Sequence, residues 1–155
     1  MKYLFFAIVT LFFANIDKKI STQNNSSTRS NSNLNDKLIS NKMKIKIGLE
    51  TFTVTLFDNE TTEVFKTMLP LTLKMSELNG NEKYIQFSTD LPASTESTGT
   101  IHEGDLMFWG ANTLVLFYKT FKTPYRYTKL GHIENPRGLA SAVGSGDVTI
   151  SFQLE

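Results

Sequence analysis

Aromatic and cationic side chains suited to binding another molecule are concentrated between positions 104 and 127. The stretch GDLMFWGANTLVLFYKT, Gly104–Thr120, is followed after a few residues by Tyr-Arg-Tyr. Aromatic faces bind apolar groups and cations, while phenol, indole and guanidinium donors orient polar groups. Six residues are therefore candidates for a ligand-binding groove: Phe108, Trp109, Asn112, Tyr118, Arg126 and Tyr127.

Most of these candidates also have a purely structural interpretation. Phe108 or Trp109 could be core instead of groove, and Tyr118 could be core if its hydroxyl finds a partner. Arg126 is either a cation on an aromatic platform or a solvated strand residue. Asn112 fits a turn, where asparagine tolerates a left-handed backbone. The residue types alone leave these alternatives open.

Residues for catalysis or metal binding are scarce. The chain has no cysteine and only two histidines, His102 and His132, too few for a multi-histidine metal site. His102 is next to Glu103, but no nucleophile is placed beside them by spacing. The segment GSGD at 144–147 lacks the lysine of a phosphate-binding loop and leads into a strand. The sequence therefore predicts no catalytic residue, metal or cofactor.

Length and charge narrow the class of protein further. A chain of 155 residues is long enough for one core of ordinary size. Its 16 basic and 15 acidic residues leave a net charge of +1, which provides no field to attract nucleic acid. We expect one folded domain whose partner is not a nucleic acid.

The N-terminal segment is typical of an exported protein. A lysine at position 2 precedes the apolar run Tyr3–Ala14, which is too short for a permanent membrane span and fits a signal peptide over residues 1–14. Residues 15–42 are rich in Asn, Ser and Lys and predict a disordered tether. We expect a periplasmic or secreted protein that meets the membrane only through its signal segment.

The folded domain is predicted over residues 43–155. Residues 43–56 alternate as the two strands of a hairpin, and an apolar helical stripe follows, capped by Asp58 or Asn59 and ended by Pro70. Further strands are predicted at Leu71–Met75, Lys83–Phe87, within Gly104–Thr120 on either side of its turn, at Tyr125–Ile133 and at Val148–Leu154, with a second short helix from Asn135-Pro136 to Gly144.

About eight strands and two short helices predict a mainly β fold, a closed antiparallel barrel with the helices plugging its ends. The strand after Asn112 is apolar at nearly every position. We expect Val115 and Phe117 to fill the interior while Leu114, Leu116 and Tyr118 point outward. These outward-facing side chains must then be covered by a helix, by the 94–100 loop or by a ligand.

Several segments together resemble those of the small bacterial cyclophilin-like domains. They are GDLMFWGANTLVLFYKTF, YTKLGHI and GLASAVGSGDVTISFQLE, with LFDNETTEVFKTMLPLTLKMSELNGNEKY nearer the start. The resemblance covers residues 43–155 and implies a cyclophilin-like barrel. In the same comparison, Asn112-Thr113 and Phe117-Tyr118 resemble the family's Asn-Thr and Phe-Phe positions, which implies that Tyr118 floors a pocket.

The resemblance also raises peptidyl-prolyl isomerisation. Cyclophilin isomerases place the guanidinium of an arginine against the prolyl amide nitrogen. That arginine belongs to a Phe-His-Arg segment, and a glutamine follows a few residues later. The arginines here are Arg29, Arg126 and Arg137, and none lies between the first helix and Gly104, where the family places it. An apolar pocket without that cation binds but hardly catalyses, because a fixed cation lowers the rotation barrier.

Three functions follow from these observations. The first is an exported binding module for a peptide or small apolar ligand. The alternative is a divergent isomerase in which Arg126 takes the role of the missing arginine. A third is an assembly domain whose aromatic face is a subunit contact. The oligomeric state stays open.

We predict that the protein recovered from its native envelope starts at or beyond about residue 15, because the apolar run is typical of a cleaved signal. Mass spectrometry of the intact protein checks this. An intact Met1 in a cytosolic fraction would contradict it.

Overall fold

The computed structural model describes residues 40–155, so the predicted signal peptide and most of the predicted tether lie outside the described residues. The alternating pattern at its start forms an antiparallel hairpin of strands β1 (Lys42–Ile47) and β2 (Glu50–Leu56). Apolar side chains of both strands face the core. The predicted hairpin is confirmed.

The remaining predicted elements occur in the predicted order, and three two-residue strands that the sequence did not predict lie among them. In chain order the elements are helix α1 (Glu60–Thr67), β3 (Leu71–Leu78), β4 (Glu82–Gln86), β5 (Glu96–Ser97), β6 (Thr100–Ile101), β7 (Asp105–Trp109), β8 (Thr113–Phe117), β9 (Phe121–Lys122), β10 (Arg126–Ile133), helix α2 (Leu139–Val143) and β11 (Val148–Leu154).

Eight of these strands form a closed antiparallel barrel in the order β2-β1-β11-β3-β4-β8-β7-β10, and β10 pairs back with β2. The predicted mainly β barrel with two helices is confirmed. Strand β5 extends the sheet beside β10, and β6 pairs with β9 in a separate small sheet. In residues 40–155 neither helix is long and apolar enough to cross a membrane.

The barrel closes at Gly131, where β10 lies against β2. Gly131 is the partner of Leu56 in that pairing, and the register with β7 shifts between Lys129 and Gly131. A Cβ on Gly131 would lie 2.8 Å from the Thr55 carbonyl oxygen and 2.8 Å from Val54 Cγ1. Only a residue without a side chain permits this approach of the two strands.

Helix α1 is tied to the barrel at its first turn and by one aromatic side chain. The Asn59 side chain accepts a hydrogen bond from the Thr62 N–H at 3.0 Å and donates one to the Lys129 carbonyl at 2.9 Å. The first bond is the expected helix cap. Phe65 is fully buried and packs edge-on against Phe108 and Phe152, so the apolar stripe of the helix becomes part of the core.

A buried lysine joins β4 to β3 and to the loop after α2. Lys83 has no exposed surface, and its ammonium group donates to Glu77 at 2.5 Å and to the carbonyls of Gly144 and Gly146 at 2.8 and 2.6 Å. These three acceptors match the three donors of an ammonium group. A buried charge is tolerated when it is paired and hydrogen-bonded in this way.

Tyr118, the residue that follows β8, completes this cluster. Its hydroxyl is 2.9 Å from both Glu77 carboxylate oxygens, and burial, with Glu77 as acceptor, raises the pKa of Tyr118 to about 12. Burial alone would raise the pKa of Glu77, but hydrogen bonds from Lys83, Tyr118 and the Gly80 N–H outweigh it and leave that pKa below its ordinary value. The carboxylate therefore stays charged at neutral pH.

Strands β7 and β8 are buried on both faces, and the expected orientation of β8 was wrong. Leu114, Leu116 and Tyr118 belong to the barrel interior, whereas Val115 and Phe117 face outward into a second cluster. When every residue of a strand is apolar, the sequence does not show which alternate residues face inward. The outer cluster includes Ile101 and Tyr127 and is packed against by Phe121, so β6, β9 and β10 supply much of the cover.

We predict that Gly131→Ala lowers the free energy of unfolding by about 2–3 kcal/mol, because the new methyl group meets a backbone oxygen that cannot rotate away. Urea denaturation measures this change. Gly146→Ala is the control, since a Cβ there meets no atom within 4 Å and should shift stability by less than about 1 kcal/mol. Equal stabilities of the two variants would contradict the closure argument.

Candidate functional site

An aromatic groove lies on the outer face of the barrel, across β4, β8, β7 and β10. Its volume is about 420 Å³, and its lining includes Tyr84, Val115 and Tyr127. Trp109 and Tyr125 line it too and are 54% and 61% exposed. Large aromatic side chains left this open beside a concave surface are suited to cover an apolar ligand.

A shallower depression of about 520 Å³ continues the groove. Trp109 and Tyr125 line both, and the second depression adds Asn112 and Arg126. Arg126 is exposed, and its guanidinium donates a 2.6 Å hydrogen bond from Nη2 to the Thr95 carbonyl. The groove and this depression together form one composite surface, and the Arg126 guanidinium is a cation held at one end of it.

Four of the six candidate residues meet at this surface: Trp109, Asn112, Arg126 and Tyr127. The other two, Phe108 and Tyr118, are 1% and 6% exposed and lie in the barrel interior. Trp109 follows Phe108 on β7, and successive strand residues face opposite sides of a sheet. That alternation places one aromatic ring in the core and the next in the groove.

The turn between β7 and β8 uses a different residue from the one expected. Gly110 carries the left-handed backbone, with φ of 62°, and Asn112 does not adopt a positive φ. Asn112 instead accepts a backbone hydrogen bond from Phe87 at 2.8 Å and, through its side chain, weaker contacts from Gln86 and Thr113. Its position at the edge of the groove comes from this link to β4.

The sequence argument missed the contribution of β4. Glu82, Tyr84 and Gln86 line the groove, and they are alternate residues of one strand. The alternation itself could have shown that these three share a face, but it could not show that β4 lies beside β8. That neighbour is fixed by the barrel, where Tyr84 pairs with Val115.

Glu82 has an unusual electrostatic environment. Its side chain is partly buried, and burial, followed by the charge of Glu77, raises the pKa of Glu82 above its ordinary value of 4.5. Burial and the charge of Glu82 also raise the pKa of Tyr127. The groove thus carries a carboxylate whose ionised form is disfavoured by its surroundings.

A separate depression of about 510 Å³ contains both histidines. His132 Nδ1 is 2.8 Å from Asp105 Oδ1, and Asp105 Oδ2 accepts a 2.8 Å hydrogen bond from the His102 backbone N–H. A carboxylate in this position orients an imidazole so that its other nitrogen can exchange a proton. The lining hydroxyls of Thr98 and Thr100 make no hydrogen bond to His132 in residues 40–155, so a nucleophile–base pair is not assembled there.

Metal binding has no support in the described part of the chain. Within residues 40–155, no three His, Asp or Glu side chains are grouped so that they could hold an ion.

Comparison with known proteins identifies a family but no activity. A family model described as the cyclophilin-like family matches residues 45–153. The solution structure of the hypothetical protein AF2241 from Archaeoglobus fulgidus is similar in fold, with a TM-score of 0.50, 18% sequence identity, and coverage of 76% of this chain and 96% of that one. No curated protein matches the sequence significantly. The likeness to the archaeal structure concerns the fold alone.

We predict that Glu82→Gln stabilises the protein at neutral pH. A carboxyl whose pKa is raised on folding favours the folded state while it is protonated, below about pH 4.5, and loses that contribution as pH rises through the raised pKa. Unfolding in urea at several pH values should show the variant more stable than the wild type at pH 7 and the difference shrinking toward pH 4. A less stable variant at pH 7 would contradict the assignment.

Proposed function

The chain belongs to the cyclophilin-like family, and we propose that its barrel is an exported binding module that holds a peptide or small apolar ligand in the aromatic groove. One observation carries the proposal. Trp109 and Tyr125 remain more than half exposed in the lining of a concave surface, although Phe117 and Tyr127 on the neighbouring strands are buried. Such exposure favours a surface that a ligand covers.

The groove supports binding rather than turnover. It offers rings for stacking and a few polar groups for orientation, among them Thr113, Gln86 and the carboxylate of Glu82. The arginine by which cyclophilin isomerases act is missing from its expected place in the sequence. Export rests on the N-terminal apolar run, which lies outside the described residues.

One observation favours the alternative, a divergent isomerase. Arg126 lines the depression that continues the groove, so a cation is available near a bound prolyl ring. Its guanidinium is already engaged by the Thr95 carbonyl, which favours a structural role for this side chain. We therefore expect no isomerase activity above background, and no change in Arg126→Ala, in a proline-peptide assay of the full chain.

We predict that the acetylated and amidated peptide Ala-Phe-Pro-Ala changes the emission of Trp109, the one tryptophan of the chain, in a saturable way. Tyr125→Ala should weaken binding at least about fivefold, since it removes one exposed wall of the groove. Phe57→Ala is the matched control, because Phe57 is 42% exposed but lies on the histidine depression.

Four outcomes would contradict this function. The first is no saturable change at millimolar peptide, and the second is an equal loss in Phe57→Ala and Tyr125→Ala. The third is light scattering that shows a dimer whose formation hides Trp109 from acrylamide, which would favour the subunit contact. A proline-isomerisation rate that is well above background and collapses in Arg126→Ala would favour the isomerase.

A further inference from the structure

We propose that the aromatic groove selects a peptide that places a lysine or arginine side chain at the Glu82 end, beside an apolar residue that stacks on the rings. This inference rests on the proposed binding function and specifies the chemistry of the ligand.

The position of Glu82 follows from the register of β4. Glu82 is the partner of Phe117 on β8, and Phe117 faces outward into the second apolar cluster. Directly opposite residues of an antiparallel pair share a face, so Glu82 and, two residues on, Tyr84 face the same outer surface. Lys83 lies between them and points into the barrel, where its ammonium group forms an ion pair with Glu77. The adjacent cation is therefore directed away from Glu82.

Glu82 has no partner within the described chain. Its side chain makes no hydrogen bond and no ion pair in residues 40–155. Among residues 40–155, the groove lining contains no lysine, arginine or histidine, and the Glu82 carboxylate is its one formally charged group. An incoming cation would meet one negative charge without a competitor, which is the charge complementarity that sets specificity at an interface.

The aromatic lining strengthens the same preference. Tyr84, Trp109, Tyr125 and Tyr127 line the groove together with Glu82. Rings attract cations through their electron-rich faces, and the attraction grows as water is excluded. A lysine or arginine side chain can contact both the rings and the carboxylate, because its alkyl stem packs on the rings while its charged end reaches Glu82.

The far end of the composite surface has the opposite sign. Arg126 lines the adjoining depression and not the groove itself, whereas Trp109 and Tyr125 line both. The two charges therefore give the surface a polarity. A bound peptide should direct its basic side chain toward Glu82 and its carbonyl groups toward Arg126.

The cost of Glu82 in the free protein is consistent with a binding role. A partly buried carboxylate without a partner destabilises the folded state, and burial and the neighbouring Glu77 raise the pKa of Glu82 accordingly. A ligand cation would supply the missing partner. Destabilised groups of this kind are concentrated at functional sites.

The test compares two peptides that differ in one charge. Acetylated and amidated Ala-Phe-Pro-Lys is titrated against the full chain beside the same peptide with its lysine Nε-acetylated, using Trp109 emission. We expect the charged peptide to bind about five- to tenfold more tightly at low salt. The ratio should fall toward one at 0.5 M salt, because a partly exposed ion pair is screened.

The variants separate this inference from the function on which it rests. Glu82→Gln should abolish the preference, so that the charged and the neutral peptide bind this variant with the same affinity. Glu103→Gln is the matched control, since it removes the same charge from a residue outside the groove, and it should keep the preference.

Equal binding of the two peptides to the wild type, or a preference that survives Glu82→Gln, would overturn the inference and leave the binding function standing. A preference lost equally in Glu103→Gln would also overturn it, since net charge would then be the cause. If neither peptide binds, the proposed function itself fails. If n-butylammonium binds as tightly as the charged peptide, the ligand is a small amine and not a peptide, and the proposal is overturned.

Discussion

The pairing of β10 with β2 is the constraint on which the rest of the molecule depends. It turns an open sheet into a barrel, and it is possible because Gly131 lets the Thr55 carbonyl approach to a distance that any side chain would block. Closure also sets the position of β10 beside β7. Since Tyr127 and Arg126 belong to β10, closure determines which strands contribute to the outer groove.

Closure buries the interior side chains, and separate short segments cover the outer face. The small sheet of β6 and β9 packs Ile101 and Phe121 over Phe117 and Tyr127. The cover ends before Trp109 and Tyr125, and these two rings are exposed as a result. Within residues 40–155, the groove is the part of the apolar barrel face that no other segment covers.

Two glutamates on adjacent strands show how local partners decide the state of a carboxylate. Glu77 receives hydrogen bonds from Lys83, Tyr118 and Gly80, which offset its burial and hold its pKa down. Glu82 receives no such hydrogen bond from residues 40–155, and burial and the charge of Glu77 raise its pKa. The first stabilises the fold, and the second is available to a ligand.

The sequence by itself determined the eight barrel strands and the two helices, because hydrophobic alternation and cap and turn residues are local signals. It left the cap of α1 open between Asp58 and Asn59 and did not show the short strands β5, β6 and β9. The resemblance to cyclophilin-like domains rested on motifs of the same kind. Only the tertiary structure decided which face of β8 is inward, since an all-apolar strand has no phase. It also decided that Glu82 and Tyr84 join Trp109, because strands distant in sequence become neighbours only when the barrel closes.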